Sequence, residues 1–283
     1  MKQIIAALFF VMLGFAVLVS GTGEVNASWS DEDALYRPQP LEALQNLPKE
    51  NSFKNPEEGG LPLDIRRDAM KDAALSFGAR GGLAWRTFHI RRELDANAAY
   101  LDKVFDFNHL LITAPSGMLI EPPVVSESIN AMIINASGQE AAISDRIYDI
   151  NRKAKIVSIG KSWRNYLERE WGGVTPPPDI LRPSNRQERK EWVRWINAGW
   201  ERGITQADEI FQADINQLLS HYQGMVRYRM LLRQGMISAP YAMLVDRGVT
   251  GGGTRMRVGD RAIKITGQSQ LISRGRTWQP ANR

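Results

Sequence analysis

Cysteine is missing altogether from the 283 residues. No disulfide framework, thiolate metal site, thiol nucleophile or thioether-linked lipid can therefore form. Histidine is nearly as scarce: His89, His109 and His221 lie too far apart for a local metal motif, and only the fold could gather them. Beyond residue 27, charged side chains interrupt every apolar run before it reaches the 18 residues of a membrane span. Short catalytic signatures are absent too, with neither His-Glu-x-x-His nor Gly-x-Ser-x-Gly present. Gly160-Lys161-Ser162 resembles the end of a phosphate-binding loop, but Lys155 stands where its first glycine is required. Gly251-Gly252-Gly253 lacks a strand-to-helix setting and reads as a flexible joint. Glu168 and Glu170, two apart on a helix, diverge and read as surface charges. Glu121, Glu140 and Asp145 could serve a hydrolase, yet no spacing fixes a catalytic pair. We therefore assign no catalytic, cofactor-binding or metal-binding residue, and expect neither an enzyme nor a cofactor.

What is present is the balance of a globular chain, 43% hydrophobic and 24% charged. The formal net charge of +5 conceals a division at Gly224. Residues 224–283 hold eleven Arg or Lys against two Asp, whereas the preceding residues hold 25 basic against 29 acidic side chains. A basic terminus calls for an acidic partner, whether nucleic acid, an anionic membrane surface or protein.

Residues 1–27 have the pattern of an export signal: Lys2, an apolar run from Ile4 to Val19, and the small-residue site Val25-Asn26-Ala27, with cleavage expected between Ala27 and Ser28. An uncleaved anchor is the alternative, although sixteen apolar residues span only about 24 Å against a hydrocarbon core of roughly 30 Å. Residues 28–62, with five prolines and the acidic run Asp31-Glu32-Asp33, read as an extended tether. Residues 63–283 form the remaining domain, expected to be α+β: mostly helical, with short strands and a C-terminal β-hairpin.

Within that domain, apolar spacing predicts two helices between Leu63 and Phe105, with a break or a close packing contact at Gly78 and Gly81-Gly82. Short apolar runs over 107–128 predict strands or extended crossings. Ile143, Ile147, Ile150, Ala154 and Val157 advance by alternating steps of four and three, which predicts an amphipathic helix. After Pro176-Pro177-Pro178, Ser184 with Gln187 predicts a capped helix whose Trp192, Trp195, Ile196 and Trp200 pack in the core. A further helix spans Thr205 to Gln234, either long enough to cross a domain or reach a neighbouring subunit, or a core helix kinked at Gly224. The hairpin is expected to turn at Gly259-Asp260, between Arg255–Val258 and Arg261–Thr266.

The basic end supplies the candidate partner contacts: Arg227, Arg229, Arg255, Arg257, Arg261 and Lys264. With Tyr228 and Trp278 nearby they partly meet the cation-and-aromatic pattern of nucleic-acid binding. The same charges can dock onto the acidic amino half of another copy.

Longer segments carry a family resemblance. Phe77-Gly78-Ala79-Arg80-Gly81-Gly82-Leu83-Ala84, Pro115-Ser116-Gly117-Met118-Leu119-Ile120-Glu121-Pro122-Pro123 and Gly138-Gln139-Glu140-Ala141-Ala142 are similar to the DotC family of type IV secretion proteins. The likeness continues through Trp163 to Trp171, Pro176-Pro177-Pro178-Asp179-Ile180-Leu181-Arg182-Pro183, Gly224-Met225-Val226-Arg227-Tyr228-Arg229 and Val245-Asp246-Arg247-Gly248-Val249-Thr250-Gly251-Gly252. It implies a non-enzymatic subunit of the outer-membrane core complex in Dot/Icm-like secretion and I-type conjugation machines, at the periplasmic face of the outer membrane. Its implied partners are a DotD-like lipoprotein and a DotH-like subunit, which it helps to place, and further copies of itself. A nucleic-acid-contact protein of a conjugation channel is the alternative. Family members are lipidated on a cysteine that closes the signal; here Thr22 stands at that position, and a hydroxyl cannot form the thioether. Outer-membrane association would then run through partners.

Overall fold

The computed structural model describes residues 37–47, 63–114, 117–134, 141–170 and 172–278. The signal segment with Thr22, Ala27 and Ser28, most of the tether, Glu140 and Trp171 lie outside them. The chain is α+β, as expected, and divides into two compact units: Met1–Ala98 with Glu168–Gln212, and Ala99–Leu167 with Ala213–Arg283.

The first unit is built from helices. Within the segment expected to run extended, Leu41–Gln45 forms α1, and Leu44 is fully buried. α2 runs from Leu63 to Ala96 without a break at its glycines, stopping where Asn97 donates side-chain and backbone N–H groups to the Glu93 carbonyl. α5, Arg186–Arg233, is one helix where two were expected. Its cap is Asn185, one residue later than the sequence suggests: Asn185 Oδ1 accepts from the amides of Gln187 (3.0 Å) and Glu188 (2.8 Å). The Glu188 carboxylate in turn accepts from the Ser184 amide at 2.7 Å.

Leu44, Met70, Ala74, Phe77, Trp192, Ile196 and Trp200 form the core of this unit, so the tryptophan stripe packs inward as expected. The glycines make the contact possible. A methyl added at Gly78 or Gly82 would be driven into the carbonyl oxygens of Ile196 and Trp200 respectively. Reciprocally, one at Gly199 or Gly203 would strike those of Leu75 and Ala79. Each pair is spaced by four, so both helices present a glycine groove and their backbones meet without intervening side chains. Arg66 with Glu188 (2.7 Å), Arg67 with Glu191 (2.7 Å) and Arg86 with Asp208 (2.6 Å) bracket the seam.

The second unit holds α3 (Ala98–Val104), the strands, α4 (Arg164–Leu167) and the C-terminal part of α5. β1 (Ile112–Thr113), β2 (Leu119–Glu121) and β5 (Lys155–Val157) make a small antiparallel sheet in the order β1-β2-β5. β3 (Val124–Ile134) pairs with β4 (Ala141–Arg152), and β6 (Tyr241–Gly252) with β7 (Arg255–Gly267). β4 corrects the amphipathic helix expected over Ile143–Val157. Its isoleucines do not share a face: Tyr148 and Ile150 pack against Val125, Tyr228, Leu231 and Ile237, whereas Ile143 lies exposed. β-branched side chains favour the pleated conformation, and the four-three spacing arises from residues divided between two faces.

The hairpin turns at Gly253-Thr254 instead of Gly259-Asp260. Gly259 (φ 70°) lies inside β7, where the register shifts opposite Gly248 (φ 65°). Both glycines thus serve a bulge, which only a residue tolerant of positive φ can form cheaply. Gly224 lies within α5 as a contact residue, 3.2 Å from the Val125 nitrogen when given a Cβ.

Candidate functional site

The six candidate contacts separate into two groups. Arg227 and Arg229 are placed in the last two turns of α5 and are spent within the second unit. Arg227 pairs with Glu127 (3.2 Å) and donates to the Val125 carbonyl at 2.7 Å. Arg229 donates to the carbonyls of His109 (3.1 Å) and Leu111 (2.9 Å). Each guanidinium satisfies backbone acceptors where an extended segment crosses the helix, which is a structural use of the charge.

Arg255, Arg257, Arg261 and Lys264 all lie on β7 with exposed side chains, and among the described residues none forms an ion pair. The base of the hairpin is anchored: Ala242, Ile263 and Ile265 pack with Ala114, Ile120 and Ala154 of the small sheet and its flanks. Beyond Val245 and Ala262 the ladder has no such packing, and nearly every residue from Asp246 to Arg261 is exposed. The structure therefore brings four of the six candidates onto one projecting hairpin.

A second polar group, which the spacing argument did not assemble, surrounds Glu121. Its carboxylate is buried and receives Lys155 on one oxygen (3.3 Å) and Lys161 on the other (3.6 Å). Nearby, Arg152 contacts the His221 ring at 3.2 Å, and the Tyr166 hydroxyl lies 3.1 Å from His221 Nδ1. Burial, reinforced by Arg152, lowers the His221 pKa and so favours the neutral imidazole. Burial also pushes the Tyr166 hydroxyl up to about 12, with Glu121 adding to the effect, and lowers the Lys161 ammonium. Phe107 stacks on Tyr166 at 5.7 Å and closes the group. Glu121 is thus a carboxylate committed to two lysines. Asp145, its companion in the hydrolase reading, is exposed on β4 of the separate β3–β4 pair.

The histidines have separate surroundings. His89 packs on Trp85, with ring centroids 3.9 Å apart, and His109 bonds to Asp106. Burial, followed by Arg92, Arg86 and Arg37, holds the His89 pKa down at about 4. The only sequence signal for the Glu121 group was a lone acid at the end of an apolar run, Met118-Leu119-Ile120, beside two prolines.

The family described as type IV secretory system, conjugal DNA-protein transfer, matches residues 64–280. No curated protein is found to be similar to this chain.

Proposed function

Because the chain belongs to the type IV secretory system, conjugal DNA-protein transfer family, we propose that it is a structural, non-enzymatic subunit of the outer-membrane core complex of such a machine. The match over residues 64–280 carries this reading, since it takes in both compact units. In the finer form suggested by the DotC-like segments, the subunit is exported to the periplasmic face of the outer membrane. There it works with DotD-like and DotH-like proteins and helps to place the latter.

The organisation of the surface supports a role in assembly. The groups best suited to chemistry are already engaged: Glu121 by Lys155 and Lys161, and His221 by Arg152 and the Tyr166 hydroxyl. The hairpin, by contrast, offers its charges outward. Deleting the protein from its host should abolish conjugal or effector transfer and deplete the DotH-like partner from the outer-membrane fraction. Unchanged transfer with an unchanged level of that partner rejects the proposal. The exposed cations of β7 also favour a second reading, contact with nucleic acid in the transfer channel. Single-stranded DNA binding that falls steeply with salt would select it.

A further inference from the structure

The distal hairpin is amphipathic in cross-section. Its register sets Val249 opposite Val258 and Gly251 opposite Met256, which places these side chains on one face. Arg257 opposite Thr250 and Arg255 opposite Gly252 occupy the other face. A bond from Thr250 Oγ1 to Asp260 Oδ2 (2.7 Å) fixes that second face locally. Val249, Met256 and Val258 are 62%, 71% and 74% exposed. Two-stranded ladders are marginal in water unless one face is covered, and nothing among the described residues packs on this one.

Charge identifies what fits. Residues 63–223 hold 21 basic and 21 acidic side chains, so the acidic excess of the chain before Gly224 does not reside there. It resides in residues 28–62, with seven carboxylates against three cations. The run Asp31-Glu32-Asp33 is flanked by Trp29 on one side and by Leu35 and Tyr36 on the other. One short segment therefore carries both complements the hairpin lacks, anions for its arginines and apolar bulk for its aliphatic face. Nine extended residues reach about 30 Å, enough to pass from one face of a two-stranded ladder round its edge to the other.

We propose that the distal β6–β7 hairpin is a docking arm that binds residues 28–36 of a second copy of this chain, with Asp31, Glu32 and Asp33 meeting Arg255 and Arg257. Such a contact is heterologous, head to tail, and therefore suited to closing a ring or extending a stack. Protein fits this face better than nucleic acid, because its exposed side chains are aliphatic and offer bases no stacking platform. The inference rests on the reading of the protein as an assembly subunit.

The test is sedimentation of the purified full chain in two charge-reversed forms, Arg255→Glu with Arg257→Glu, and Asp31→Lys with Glu32→Lys and Asp33→Lys. Each form alone should self-associate at least about tenfold more weakly than the parent. An equimolar mixture should recover the association, because every arm then meets a segment of opposite charge on the other form only. Val258→Asp should weaken association while leaving the thermal melt unchanged. A mixture that fails to recover, or a parent chain that sediments as a single copy at every concentration, overturns the proposal, the former also being the result if each arm is filled by its own chain. Loss of single-stranded DNA binding on arm reversal, without a change in mass, overturns it in favour of nucleic acid. If arm-reversed protein assembles normally while deletion of the gene still abolishes transfer, the arm is refuted and the assembly role survives. Transfer unaffected by deletion refutes that role instead.

Discussion

Gly203→Ala sets two physical effects of opposite sign against each other. Helix propensity alone favours alanine in the interior of α5 by about 1 kcal/mol. The seam opposes it, because the new methyl would meet the Ala79 carbonyl oxygen and lie 2.7 Å from the Leu83 nitrogen and 2.9 Å from the Ala79 carbonyl carbon. These are backbone atoms of α2, so no rotamer change can relieve the overlap. The helices must separate by about 1 Å, and a gap of that size forfeits a quarter to a half of the dispersion energy of the atoms that face it. Overpacking of this kind costs roughly 1–3 kcal/mol, and the loosened contacts of Phe77, Ile196 and Trp200 add to it. The net expectation is destabilisation by about 2 kcal/mol, or a fall in Tm of about 4–8 °C for a unit of this size. Circular dichroism melts and urea titrations would measure it, with Gly172→Ala as the control, since nothing lies within 4 Å of a Cβ there. A Gly203→Ala protein that melts higher than the parent would show that propensity governs and that the helices are not in backbone contact.

Two further outcomes follow from the polar groups. His89 is held at about 4 in the fold against 6.5 for a free imidazole, so protonation favours the unfolded chain. Its contribution should be complete above about pH 6.5 and disappear as pH falls towards 4; after allowance for solvent screening of a half-buried ring it amounts to about 1–2 kcal/mol. Denaturant titrations across that range should show the slope, and His89→Phe should flatten it; an unaltered slope in the variant would assign the effect elsewhere. Glu121→Ala strands Lys155 and Lys161 beside Arg152, and because those lysines are 45% and 30% exposed the loss should be about 1–3 kcal/mol. A urea midpoint indistinguishable from the parent would mean that the lysines do not depend on this carboxylate.

The residues legible in advance were those whose local chemistry agrees with their tertiary setting. Trp192, Ile196 and Trp200 fall on one helical stripe and are buried together, and Ile263 and Ile265 alternate with charges on a strand whose base is packed. β4 misled because periodicity was weighed without side-chain shape: Ile143, Ile147 and Ile150 imitate a helical stripe although the strand sends them to different faces. At Gly78 and Gly82 the low helical propensity is real, but partner backbone on the other side of the seam outweighs it. The turn was misplaced because Gly259-Asp260 has the chemistry of a turn and is used for a bulge. In the candidate site, composition drew the cations together as one group. It could not separate Arg227 and Arg229, whose acceptors come from segments about a hundred residues away, from the four on β7 that remain outward.

The glycine bulge in the middle of the β6–β7 ladder has a protective side. A long, flat pair of strands with aliphatic residues on view would recruit any other open strand it met, the first step toward fibrous aggregates. Gly248 and Gly259 twist the ribbon out of plane, and Arg255 and Arg257 near its tip act as gatekeepers whose mutual repulsion discourages identical ribbons from stacking. Replacing those arginines by neutral residues should therefore make freshly synthesised protein sticky before it makes it unstable, and the shortfall would appear first as lost soluble yield.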